Sequence, residues 1–216
     1  MNTNPDAIKV LCFGDSNTWG QNPDRDAGRY PSDVRWTGLL QKKLGGTYYV
    51  VEEGLGGRTT DLERADKPGR NGLTYFLPCI QSHASIDILV IMLGTNDIKI
   101  EFNRSTEQIV GALQKYFKVV KEVFSGGDVP TIVTVSPALI DHTAPRFEEY
   151  YKGIYDEEAT AKSKQLSSLL KLLAERNNSV YVDAAETAEP GADGIHWKVE
   201  SQEPFAEALS TTIKSL

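Results

Sequence analysis

Ser16 stands in the string Gly14-Asp15-Ser16-Asn17-Thr18, directly after a short apolar run. A serine at such a strand-to-helix turn can present its hydroxyl at a sheet edge, with the following amides aimed at an anion. The hydroxyl is a poor nucleophile until a base takes its proton. The chain offers three histidines, His83, His142 and His196. His196 follows Asp193 by three residues in Asp193-Gly194-Ile195-His196. A turn there lets the carboxylate fix the imidazole tautomer and stabilise its cation. Acyl transfer also needs donors where the tetrahedral oxyanion forms. Gly56 and Gly57, in Gly54-Leu55-Gly56-Gly57-Arg58, allow close backbone approach, and Asn96, in Gly94-Thr95-Asn96-Asp97, offers an uncharged NH₂ group. Taken singly, each has an ordinary structural role: Ser16 and Asp15 as helix caps, the glycines, Asn96 and Asp193 as turn residues. Taken together they supply a nucleophile, donors and an acid–base pair.

The elements that must position them are short apolar runs alternating with helical patterns. Residues 8–13, 48–51, 86–93, 131–135 and 180–182 read as strands, apolar on both faces as parallel strands covered by helices are. Helices are expected over 33–44, 73–82, 105–124, 157–175 and 203–213. Ser105 and Gln108 have the spacing of a capping box at the start of the third of these. The alternation predicts an α/β domain with a parallel sheet and right-handed crossovers. Ligands of such sheets lie beyond the carboxyl ends of the strands. The Ser16, Gly57, Asn96 and Asp193–His196 segments all follow strand candidates, so they share that rim. His83 precedes the third strand, at the opposite end, and reads as a helix-end or hydrogen-bonding residue. His142 follows the fourth strand and reads as a rim residue of open role. Tyr150, Tyr151 and Tyr155 read as core aromatics, a pocket wall or an oligomer contact.

With 216 residues and neither an internal repeat nor a dividing linker, the chain is expected to form one domain over 1–216. It carries 30 acidic and 23 basic residues, a net charge of −7, which argues against a generally basic nucleic-acid surface. Two cysteines, Cys12 and Cys79, form neither a disulfide framework nor a Cys₄ zinc site, and the histidines are too scattered for a compact metal motif. No metal or cofactor is expected. No apolar run reaches the roughly 18 residues of a membrane span. The opening Met1-Asn2-Thr3-Asn4-Pro5-Asp6 has no basic or apolar leader pattern, so the expectation is a cytoplasmic protein.

Gly14-Asp15-Ser16, the glycine of the second loop, Gly94-Thr95-Asn96-Asp97 and Asp193-x-x-His196 resemble, in order, the four sequence blocks of the SGNH (GDSL) hydrolase superfamily. The strings FGDSNTWG, DVRWTGLL, EEGLGGRTT and IMLGTND are similar to its arylesterase and acyltransferase subgroup. The resemblance implies a three-layer α/β/α sandwich, flavodoxin-like, with a five-stranded parallel sheet. It implies Ser16 as nucleophile, His196 as general base and acid, and Asp193 as the residue orienting it. The oxyanion hole would comprise the Ser16 N–H, the Gly57 N–H and the Asn96 side chain. The chain reads Glu52-Glu53-Gly54 where many members have Asn, and Gly56 precedes Gly57, so either glycine could be the donor. The implied activity is hydrolysis, or transfer, of small acyl groups of carboxylic esters through an acyl-enzyme. A carbohydrate acetylesterase, or a lysophospholipase or thioesterase, would use the same residues. A ligand-binding module without catalysis is disfavoured, because the glycine-rich loop follows the second strand and lacks the full G-x-G-x-x-G spacing. The subgroup resemblance also suggests homo-oligomeric assembly.

Overall fold

The computed structural model describes residues 2–216. Five strands form one sheet: β1 (Ile8–Gly14), β2 (Tyr48–Gly54), β3 (Ile88–Met92), β4 (Thr131–Ser136) and β5 (Val180–Asp183). Their order is β2-β1-β3-β4-β5 and every pairing is parallel. The helices are α1 (Ser16–Trp19), α2 (Trp36–Leu44), α3 (Gly72–Ser82), α4 (Thr106–Val123), α5 (Phe147–Tyr151), α6 (Glu158–Arg176) and α7 (Val199–Lys214).

Alternation along the central strands builds the layers. Leu11, Phe13, Leu89 and Ile91 join a cluster with Phe76 and Ile80 of α3, Leu113 of α4 and Leu170 of α6. Their neighbours Val10, Cys12, Val90 and Met92 face the other way, into a cluster with Trp36 and Leu40 of α2 and Phe205 and Leu209 of α7. On that second face Phe205 sits edge-on to Trp36 and Trp197, at 5.2 and 4.8 Å between ring centroids. Such pairs add to the large apolar area each ring buries. The result is the expected three-layer α/β/α sandwich with flavodoxin-like strand order.

The differences from the sequence pattern have local causes. β2 continues past Val51 through Glu52 and Glu53 to Gly54. It is an edge strand, and its carboxylates are matched: Arg35 Nε donates to Glu52 at 2.5 Å, and His83 Nε2 lies 2.8 Å from Glu53. α7 begins at Val199 rather than 203, and Pro204 sits inside it. That proline lies beyond the first turn, so it forgoes the backbone bond to the Glu200 carbonyl. α5 had no periodic signal. The capping box of α4 forms as its spacing predicts. No helix among the described residues is long and apolar enough to cross a membrane.

Candidate active site

β1 ends at Gly14, and the chain turns at once into the four-residue α1. Asp15 caps that helix, its Oδ1 accepting from the Asn17 N–H at 3.0 Å. Ser16 is therefore the first helical residue, where a backbone N–H has no intrahelical acceptor. Arg58 holds the exit of the strand by donating from Nη1 to the Gly14 carbonyl at 2.8 Å, while its guanidinium lies 4.1 Å over the Phe13 ring.

The far end of the chain meets this turn. His196 Nε2 lies 2.9 Å from Ser16 Oγ, and His196 Nδ1 lies 2.6 Å from Asp193 Oδ2. Asp193 Oδ1 accepts from the N–H groups of Ile195 and His196 at 3.0 and 2.9 Å. The tight loop needs Gly194, whose φ is +76° and whose place a Cβ could occupy only 2.1 Å from the Asp141 carbonyl oxygen. Asn17 ties the two segments together: its Nδ2 donates to the Ile195 carbonyl at 3.3 Å, and its Oδ1 accepts from the Trp197 N–H at 3.1 Å. Asp193 is fully buried. Burial alone would raise its carboxyl, but the hydrogen bond and charge of His196 and the two loop N–H groups outweigh it and hold the carboxyl below its ordinary value.

The opposite wall comes from the loops after β2 and β3. Asp97 anchors them to each other. It is fully buried and accepts from the Thr60 N–H at 3.0 Å and the Thr60 hydroxyl at 2.5 Å, while Arg104 donates to it at 3.2 Å. Burial, only partly offset by these donors, pushes Asp97 up to about 6. The neighbouring Asn96 faces the site, its Nδ2 3.5 Å from Asp15 Oδ2. Burial raises the Asp15 carboxyl against the opposing pull of the Asn17 N–H, His196, Arg58 and Lys99.

Gly56 and Gly57 both border the same cleft as Ser16, Asn96 and His196. Gly57 has φ +78°, left-handed backbone that glycine adopts freely. Arg70 Nε donates to the Gly56 carbonyl at 2.9 Å. In a planar trans peptide the C=O and the next N–H point in opposite directions. Arg70 thus fixes which way the Gly57 N–H points.

Two aromatic residues of the 150–155 segment also reach the cleft. Tyr151 Oη donates to Asp193 Oδ2 at 3.2 Å and lies 3.3 Å from His196 Nδ1. Tyr155 Oη donates to the Thr95 carbonyl at 3.2 Å. Tyr151 and Tyr155 are core aromatics of the first cluster that also wall the cleft, and Tyr150 packs against that cluster. The remaining histidines lie elsewhere. His142 Nδ1 is bonded to Thr160 Oγ1 at 2.8 Å, and His83 ends α3 beside Glu53. Glu53, Cys79 and His83 place ligand-type atoms within 4.8 Å of one another, away from the cleft. Burial pushes the Cys79 thiol up to about 12, so it is a neutral and weak ligand. Cys12 and Cys79 are both buried and unpaired.

Comparison with known proteins meets this geometry directly. A sequence model of the GDSL-like lipase/acylhydrolase family matches residues 12–202. The chain belongs to that family. As a GDSL-family member it is similar over nearly its whole length to Est24, a carbohydrate acetylesterase from Sinorhizobium meliloti. That similarity is 34% identity with a TM-score of 0.88, covering 96% of this chain and 98% of that one. It is likewise similar to the M. smegmatis aryl esterase, at 34% identity and a TM-score of 0.86, covering 97% and 100%. A curated acetylxylan esterase from Xylanibacter ruminicola is 35% identical over 122 residues, half of this chain. The matched stretches span about a fifth to a third of the length of the curated relatives, at 22% and 32%.

Proposed function

We propose that this GDSL-family chain is a serine esterase that hydrolyses small acyl esters through an acyl-enzyme on Ser16. The observation that carries this reading is the unbroken contact series Ser16 Oγ–His196 Nε2 and His196 Nδ1–Asp193 Oδ2, at 2.9 and 2.6 Å, opening on a cleft.

The ionised Asp193 accepts a hydrogen bond from the His196 Nδ1–H, which keeps the proton on Nδ1 and turns the Nε2 lone pair toward Ser16. Ser16 Oγ attacks the ester carbonyl carbon as His196 takes its proton. The carbonyl electron pair moves onto oxygen, which the N–H groups of Ser16 and Gly57 and the Asn96 NH₂ stabilise. Collapse of the adduct breaks the bond to the alcohol oxygen, and His196 returns the proton to it. Water then repeats the attack on the acyl-enzyme, releasing the acid and restoring Ser16. The Tyr151 hydroxyl shares Asp193 Oδ2 with His196 and so supports the ion pair that forms in each half.

The cleft encloses about 420 Å³, and Ile195 is the one aliphatic side chain among its lining residues. A long acyl chain would find only Ile195 and the rings of Tyr151 and Tyr155 as apolar surface there, which favours a small acyl group over the lysophospholipase and thioesterase readings. The aryl esterase and carbohydrate acetylesterase neighbours support two alcohol portions, aryl and sugar. A panel of aryl acetates and acetylated sugars distinguishes them, and product analysis with added alcohol measures transfer against hydrolysis. The decisive test is Ser16→Ala. A fluorophosphonate should label the wild type and not the variant, and the variant should lose ester hydrolysis while remaining folded. Undiminished turnover by Ser16→Ala would refute the proposal.

A further inference from the structure

The cleft carries positive charge that acyl transfer does not use. The chain has a net charge of −7, yet the cleft lining contains Arg25, Lys67 and Lys99 and no carboxylate. Lys99 is the informative one. It ends the turn that presents Asn96 and is only 8% exposed. Its ammonium makes no hydrogen bond and no ion pair among the described residues, and lies 6.0 Å from the centroid of the Tyr155 ring. Neither nearby carboxylate is within ion-pair distance of it. Glu101 lies 3.4 Å from Arg64, and Asp15 accepts from the Asn17 N–H at 3.0 Å. Burial, with the like charges of Arg64 and Lys67 added, lowers Lys99 to about 8 despite Glu101 and Asp15.

An ammonium on a largely buried stem, facing the cleft without a counter-ion, is costly because it keeps only part of its hydration. The cost has a ready explanation when a ligand supplies the missing anion. Lys99 borders the same cleft as Ser16, and Lys67 and Arg25 are exposed beside it, suited to attract that anion from solution.

We infer that Lys99, with Lys67 and Arg25, is an anion subsite, and that the substrate is an ester bearing a carboxylate on its acyl or its alcohol portion. This rests on the serine esterase reading.

The test uses two matched pairs. One is 4-acetoxybenzoate with its methyl ester, and the other is the 4-nitrophenyl monoester of succinate with its methyl diester. In at least one pair the wild type should prefer the anion in kcat/KM by at least about tenfold. Lys99→Met should bring that ratio close to one, and Lys99→Arg should keep most of it. Equal or inverted ratios in both wild-type pairs, or an unchanged ratio in Lys99→Met, would overturn the subsite. Failure of the esterase reading looks different: the neutral esters would not turn over, or would turn over equally in Ser16→Ala. Calorimetric titration with 4-hydroxybenzoate and with succinate reads the subsite without catalysis. At least one should bind the wild type about tenfold or more tightly than Lys99→Met. Equal affinity, or no binding of either, counts against it.

Discussion

Lys99→Met should make the unliganded protein more stable, and only where lysine is charged. Burial takes the Lys99 ammonium from 10.5 to about 8. Above pH 10.5 the amine is neutral whether the chain is folded or not, and the charge makes no difference. As pH falls from there toward 8, the unfolded chain takes up a proton that the folded protein refuses, so wild-type stability declines. Below about 8 the deficit is complete. At about 1.36 kcal/mol per tenfold in proton affinity, the shift corresponds to roughly 3 kcal/mol. The residue is 8% exposed but its ammonium opens on the cleft, so solvent screening makes this figure an upper bound. Methionine keeps most of the apolar stem and carries no charge. Urea unfolding of both proteins at pH 7, 8, 9 and 10 reads the difference directly. The variant should lead at pH 7 by up to roughly 3 kcal/mol, a gain of several degrees in Tm for a chain of this length, with the gap narrowing toward pH 10. A gap independent of pH, or a wild type more stable at pH 7, would show that burial of this charge is not the cost described.

Asp193→Asn should retain the fold and lower kcat by about 10⁴-fold, because an amide at that position presents the wrong hydrogen-bonding partner to Nδ1; steady-state kinetics beside circular dichroism checks both. Arg70→Ala should lower kcat about tenfold with KM little changed, since it frees the Gly56–Gly57 peptide whose N–H, in the proposed mechanism, stabilises charge only in the transition state. If KM rises and kcat holds, Arg70 acts on binding instead. A thiol reagent should modify neither Cys12 nor Cys79 in native protein and both after denaturation, as both are buried and burial raises both thiols. Rapid modification at native conditions would contradict their burial.

Much of the fold was legible because the strand residues bury both faces. Val10, Leu11, Cys12 and Phe13 divide between two cores, as the continuous apolar run of a covered parallel strand does. The positions of Ser16, Asn96 and His196 on one rim followed from that layout, since each comes just beyond a strand end or in the loop that returns to the rim. Asn17, Arg70, Tyr151 and Lys99 were not assigned their contacts in advance. What they do depends on where irregular loops cross, and no periodicity encodes such a crossing. Asn17 looks like an ordinary helix-turn residue until Ile195 and Trp197 arrive 178 and 180 residues later. The final three residues of β2 were missed for a different reason. Glu52 and Glu53 interrupt the apolar run, and only an edge strand with Arg35 and His83 alongside accommodates them.

That Asn17 clamp joins the first strand exit to almost the last loop of the chain. During synthesis Ser16 leaves the ribosome long before His196 is made. On the proposed mechanism, a nascent or stalled chain holds the serine with no base beside it and turns over no ester. On the same mechanism, turnover should appear only when the 193–196 loop docks onto the sheet, so recovered activity counts the molecules in which that loop has docked.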